Sequence, residues 1–182
     1  MFRPTRLTAS AVSLTLPCGL YVDAAVSPGG ALTSVKVTDP SIAERPAFDQ
    51  ALIAKSGFQA ILQSVKSAKD LPSCLEEACF RLGRVQELLG EVDALSARHL
   101  TRRRVTADGD AEVVLSIVNV ANNSRVNLSV AVPWHYPSGR LQHSHEVLFG
   151  DVAEEAVEDA FSAASTGSRR LARIAAELSG GA

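Results

Sequence analysis

Apolar and polar residues alternate near the start of the chain. Val12, Leu14 and Leu16 fall on one face of an extended segment, which is the period-two signature of a half-buried strand. Pro17-Cys18-Gly19 reads as a turn, and Leu20, Val22 and Ala24 open a second strand that runs to Val26. Ser27-Pro28-Gly29-Gly30 signals a hairpin, because proline presets φ and glycine supplies positive φ. Leu32, Val35 and Val37 make a third strand, and Asp39-Pro40 closes the meander.

The period then lengthens. After Pro46, the residues Phe48, Leu52, Ile53, Ile61, Leu62 and Val65 recur at helical spacing, with Gly57 placed to split them into two helices. A longer helix follows. Ser73 and Glu76 have capping-box spacing. Leu71, Leu75, Ala78, Leu82, Val85, Leu89 and Val92 step by four and three, a heptad seam that Cys79, Leu88 and Leu95 widen. The width favours a helix packed on a sheet over a coiled coil.

After His99 the period returns to two. Arg102-Arg103-Arg104 lies on a strand, so at most two of the three share a face, and Asp108-Gly109 marks a hairpin. Val113, Leu115 and Ile117 line one strand. Asn122-Asn123 turns the chain, and Val126, Leu128, Val130 and Val132 line the next strand, which Pro133 ends. Tyr136-Pro137-Ser138-Gly139 reads as a loop, and Val147 to Phe149 as a last short strand. Asp151, with Glu154 at the capping-box position, opens a final helix that Gly167-Ser168 kinks or breaks, and Gly180-Gly181 is a frayed tail.

Strand runs followed by helices describe an α+β fold. We expect two units, each an antiparallel β-meander packed on helices. The first covers residues 7–70 and the second 99–179, joined by a long heptad-patterned helix over 71–98 that packs with the second unit.

Composition narrows the function. The chain has 182 residues and a formal net charge of −2, without the basic excess of a nucleic-acid binder. It lacks an apolar run long enough for a membrane span. Arg3 and Arg6 precede interrupted apolar residues rather than a signal-peptide core, which points to an intracellular protein. Three cysteines, Cys18, Cys74 and Cys79, fit a reducing compartment and not a disulfide framework.

Catalytic motifs are missing. There is no P-loop, no Gly-x-Ser-x-Gly and no His-Glu-x-x-His. His135, His143 and His145 suggest a zinc set or a small histidine-centred enzyme, but no cysteine lies near and solvated loop histidines are the simpler reading. The three arginines read as charges that protect an edge strand. The expectation is a noncatalytic protein without cofactor, metal or small-molecule substrate.

From Leu71 onward the chain resembles a known family. The carrying features are the helix from Leu71 to Leu95, with Leu88-Leu89-Gly90-Glu91 inside it, two alternating strands, the segment Val132-Pro133-Trp134-His135-Tyr136-Pro137-Ser138, and the terminal helix. Together these look like the C-terminal tandem RWD region of the outer-kinetochore scaffold, the kinetochore-null (Blinkin) family. Leu141 stands where a second proline of the RWD Tyr-Pro-x-x-x-Pro pattern would fall. The resemblance implies an adaptor in the nucleus, at the centromere and kinetochore, which docks a tail of the Nsl-type subunit of the Mis-twelve complex. Another RWD-type adaptor, of a kinetochore or a Mediator-type transcription complex, is the alternative. A meander edge can accept an added strand. Val12, Leu14, Val35 and Val37 are therefore the expected peptide-binding residues, with Trp134 and Tyr136 as a second contact.

Overall fold

The computed structural model describes residues 3–136, 138 and 141–180. The fold is α+β, with two four-stranded antiparallel sheets and, among the described residues, five α-helices. The chain divides into two compact units, Met1–Pro46 with Ile53–Gln86 and Ala47–Leu52 with Glu87–Ala182. The boundary thus falls inside the long helix, between Gln86 and Glu87.

In the first unit, strands β1 (Arg3–Leu7), β2 (Ala11–Thr15), β3 (Tyr21–Val26) and β4 (Leu32–Thr38) pair in chain order. Strand β1 is an addition to the three-stranded expectation. Its residues are all exposed, so pairing with β2 holds it rather than burial. Across the sheet, Val12, Ala24 and Val35 align in one row, and Leu14, Val22 and Val37 in the next. Val22 is fully buried, which identifies this as the core face. Pro17–Gly19 is a single 3-10 turn with Cys18 at φ 61°. Arg45 clamps it by donating to the Cys18 carbonyl at 2.9 Å and to Asp39 at 2.8 Å.

Helices α1 (Ala47–Lys55) and α2 (Phe58–Ser64) are separated at Gly57, whose φ of 69° ends the first. Helix α3 (Leu71–Ser96) begins two residues before the expected cap. The Cys74 amide already bonds the Asp70 carbonyl, so Ser73 lies within the first turn and the capping box is not used. Pro72 suits that early start, because the first helical turn needs no amide donor from it. The buried stripe of α3 also departs from the heptad: Leu88 is fully buried and Leu89 only half-buried. This is not helical drift, because at about 3.6 residues per turn Leu89 lies on the same line as Leu71; past Gln86, where the chain passes into the second unit, burial moves to Leu88, Glu91, Val92 and Leu95.

In the second unit, β5 (Leu100–Val105), β6 (Ala111–Asn119), β7 (Ser124–Ala131) and β8 (Gln142–Phe149) again pair in chain order. Strand β8 is longer than the expected Val147 to Phe149. It takes in His143 and His145, which are therefore strand and not loop residues. The last helical stretch is two helices, α4 (Glu154–Ala163) and α5 (Arg170–Leu178), broken around Gly167-Ser168. Ala153, not Asp151, occupies the N-cap of α4. Gly150 is the turn between β8 and α4: at φ 78° it passes so close to Asn123 and Ser124 that a Cβ there would sit within 2.7 Å of them. Gly180 closes α5, its amide bonding the Glu177 carbonyl. Pro137, Gly139 and Gly181 lie outside the described residues. No helix among the described residues is long and apolar enough to cross a membrane.

Candidate functional site

An added strand needs unpaired main-chain groups, which a sheet offers only at its edges. The Leu16 amide bonds the Leu20 carbonyl, which sets the phase of the β2–β3 ladder. By alternation, Val22 and Ala24 bond β2, while Tyr21, Asp23 and Ala25 bond β4. The main-chain groups of Val35 and Val37 then point out of the sheet along the free edge. Toward its start, β4 is closed instead: the Leu32 amide bonds the Lys66 carbonyl, and Ala31 bridges Ser67.

The four first-unit candidates separate on this geometry. All lie on the core face. Val12 and Leu14 sit on β2, which β1 turns into an interior strand, and Leu14 is buried. Their backbone groups are used within the sheet. Only Val35 and Val37 offer an open edge.

The two aromatic candidates also separate. Trp134 is half-buried and meets the His135 ring edge-on at 5.5 Å. Tyr136 is only 2% exposed, which makes it a core residue and not a surface anchor. Its hydroxyl donates to Glu91 Oε2 at 2.5 Å and accepts the Leu171 amide at 3.1 Å. Glu91 Oε1 accepts the Ala172 amide at 2.9 Å.

These bonds cap a helix from a distance. Arg169, at the N-cap of α5, has left-handed φ of 53° and makes no side-chain cap bond, so the first-turn amides need another acceptor. A carboxylate there also suits the helix dipole. Glu91 from α3 and Tyr136 from the segment after β7 supply the acceptors. At the other end of α5, the Asn119 amide group donates to the Leu178 carbonyl at 3.2 Å. Arg170 completes the cluster: buried, its guanidinium lies 5.9 Å from the Tyr136 ring centre, and its Nε donates to the Ala164 carbonyl at 2.7 Å.

Burial pushes the Tyr136 phenol far above its ordinary range, and the bond to Glu91 pushes it further. Burial lowers the Arg170 guanidinium. Beside the cluster lies a half-open cavity of about 880 Å³, lined by Ala94, His99, Ala172 and Ala176 among others. Burial, and then the nearby Arg98 charge, lower the His99 pKa. Both Glu91 oxygens and the Tyr136 hydroxyl are engaged in bonds within the unit, so what this arrangement does is hold α5 in place.

The histidine set is also re-placed. His143 is half-buried, stacked on Phe161 with ring centres 3.7 Å apart, and its Nε2 lies 3.2 Å from Glu158. His145 is its neighbour on the same strand face, and His135 lies in an exposed turn. No three His, Cys, Asp or Glu side chains among the described residues form a metal-binding group. The three arginines divide by face: Arg103 pairs with Asp93, and Arg104 pairs with Glu112 on the opposite side of the edge strand β5.

Glu91 and Arg170 belong to this cluster although neither is among the site residues expected from the sequence. The signal for Glu91 was a carboxylate on an apolar stripe, three residues after Leu88 and four before Leu95. The chain matches no protein-family model and no curated protein.

Proposed function

We propose that this chain is a noncatalytic peptide-binding adaptor of the RWD type, which anchors an outer-kinetochore scaffold by docking a tail of a Mis-twelve-type complex. One observation carries the reading. The two short segments that bear the family resemblance, Leu88 to Glu91 and the Tyr136 region, are joined by the Tyr136–Glu91 hydrogen bond. Two motifs far apart in sequence thus act as one structural device, which supports reading them as parts of one family pattern. The main-chain groups of Val35 and Val37, which point away from β3 and bond no other strand among the described residues, supply a docking edge.

The test is affinity capture from mitotic cells with the full chain as bait. Recovery of Mis-twelve subunits is the expected result. Recovery of transcription machinery alone would overturn the reading. Val37→Pro probes the edge. Its amide points away from β3, so proline leaves the ladder intact and blocks only an incoming strand.

A further inference from the structure

We infer that β8 is a second docking edge, which takes an extended peptide with alternating basic and apolar residues. This goes beyond the adaptor reading by naming another edge and its partner chemistry, and it rests on that reading only in supposing a peptide-binding module.

The ladder phase shows what the edge offers. The Val132 amide bonds the Ala111 carbonyl. By alternation, Val126, Leu128 and Val130 bond β6, and Asn127, Ser129 and Ala131 bond β8. The main-chain groups of His143, His145 and Val147 therefore point outward. The edge strands differ in their protection. Strand β1 carries Arg3, Pro4 and Arg6, and β5 carries three consecutive arginines, the charges and proline that discourage added strands. Strand β8 ends instead in Val147, Leu148 and Phe149, which are 38%, 43% and 46% exposed.

Charge selects the occupant. Residues 141–168 contain six carboxylates and no lysine or arginine. Four of them, Glu154, Glu155, Glu158 and Asp159, are exposed on α4. Helix α4 covers the face of β8 that carries His143, as the stacking on Phe161 and the approach to Glu158 show. A residue opposite His145 in an added strand would point to that same face, where a lysine or arginine meets the α4 carboxylates. Its alternate neighbours would lie on the opposite face, beside Ser144 and Glu146 and, at the end of the strand, beside the half-exposed Phe149, which offers apolar cover there.

A fluorescent peptide as long as β8, with lysine and valine alternating, is the probe, read by anisotropy against the full chain. We expect saturable binding that weakens as salt rises. A peptide of the same composition with its lysines and valines in separate blocks should bind about tenfold more weakly. His145→Pro, whose lost amide faces outward, should weaken binding about tenfold, and Val35→Pro should leave it unchanged. If His145→Pro alters the melting temperature, the exposed double variant Glu155→Lys/Asp159→Lys replaces it, with the same expected loss. Equal binding of the blocked peptide, or undiminished binding by the folded edge or charge variant, would overturn the inference. The probe contains nothing of a kinetochore partner, so failure of the kinetochore reading leaves this result standing.

Discussion

The Tyr136 hydroxyl donates to the Glu91 carboxylate at 2.5 Å across 45 residues of chain. Both side chains are withdrawn from water, at 2% and 8% exposure, so each leaves the other unsatisfied if removed. Tyr136→Phe should cost about 2 kcal/mol and Glu91→Ala about 3 kcal/mol, with Glu91→Gln intermediate because it keeps an acceptor for Ala172. Urea unfolding of the single and double variants measures this. A double variant whose cost equals the sum of the two singles would show that the bond is not a coupled unit.

Alkaline titration reads the same pair from another direction. The Tyr136 phenol is raised in the folded state, first by burial and then by Glu91. Its contribution is complete below the unfolded phenol value of about 10 and is lost as pH rises beyond it. In a Tyr21→Phe background, Tyr136 is the remaining tyrosine. Phenolate absorbance should then appear together with unfolding. Absorbance that rises while the circular dichroism stays native would contradict the buried bond.

The register of α3 predicts an asymmetry between neighbours. Leu88 is fully buried and Leu89 is not. Leu88→Ala should cost about 3 kcal/mol, and Leu89→Ala less than about 1 kcal/mol. Similar costs at the two sites, or a larger one at Leu89, would restore the heptad seam.

Much of the fold was legible because burial wrote it as periodicity. Val113, Leu115 and Ile117, and Val126, Leu128 and Val130, alternate cleanly because one face of each strand is dry. Strand β1 left no such trace, since none of its five residues is buried. The first half of β8 was hidden differently: His143 and His145 occupy the inward positions where apolar residues usually stand. Caps misled for a third reason. Ser73 with Glu76 and Asp151 with Glu154 have suitable spacing, but spacing does not say where the helix begins. At the candidate site, alternation placed Val12, Leu14, Val35 and Val37 on strands but did not say which strand is an edge; the unforeseen β1 makes β2 interior and leaves that place to Val35 and Val37. Tyr136 was singled out as an aromatic, with no hint that a carboxylate on α3 would claim its hydroxyl.

Acid should weaken the first unit through Asp39. The Arg45 guanidinium holds the Asp39 carboxyl below its usual range, helped by bonds from Ser41. The stability from this pair is present above about pH 4 and is lost as pH falls through the lowered value. Arg45→Ala should cost about 2 kcal/mol at neutral pH and flatten that acid dependence. Urea unfolding at neutral and acid pH checks both. An acid dependence equally steep in the variant would assign it to other carboxylates.

Both sheets join strands that are neighbours in the chain. Every strand pair is therefore a short-range closure, of the kind that folding chains complete early. The Glu91–Ala172 bond is of another kind, because it closes 81 residues at once. The second sheet can assemble from hairpins before its last helix has a place to sit. That helix is then expected to be released first as this unit comes apart, and early hydrogen exchange at the Leu171 and Ala172 amides is the measurement that checks it.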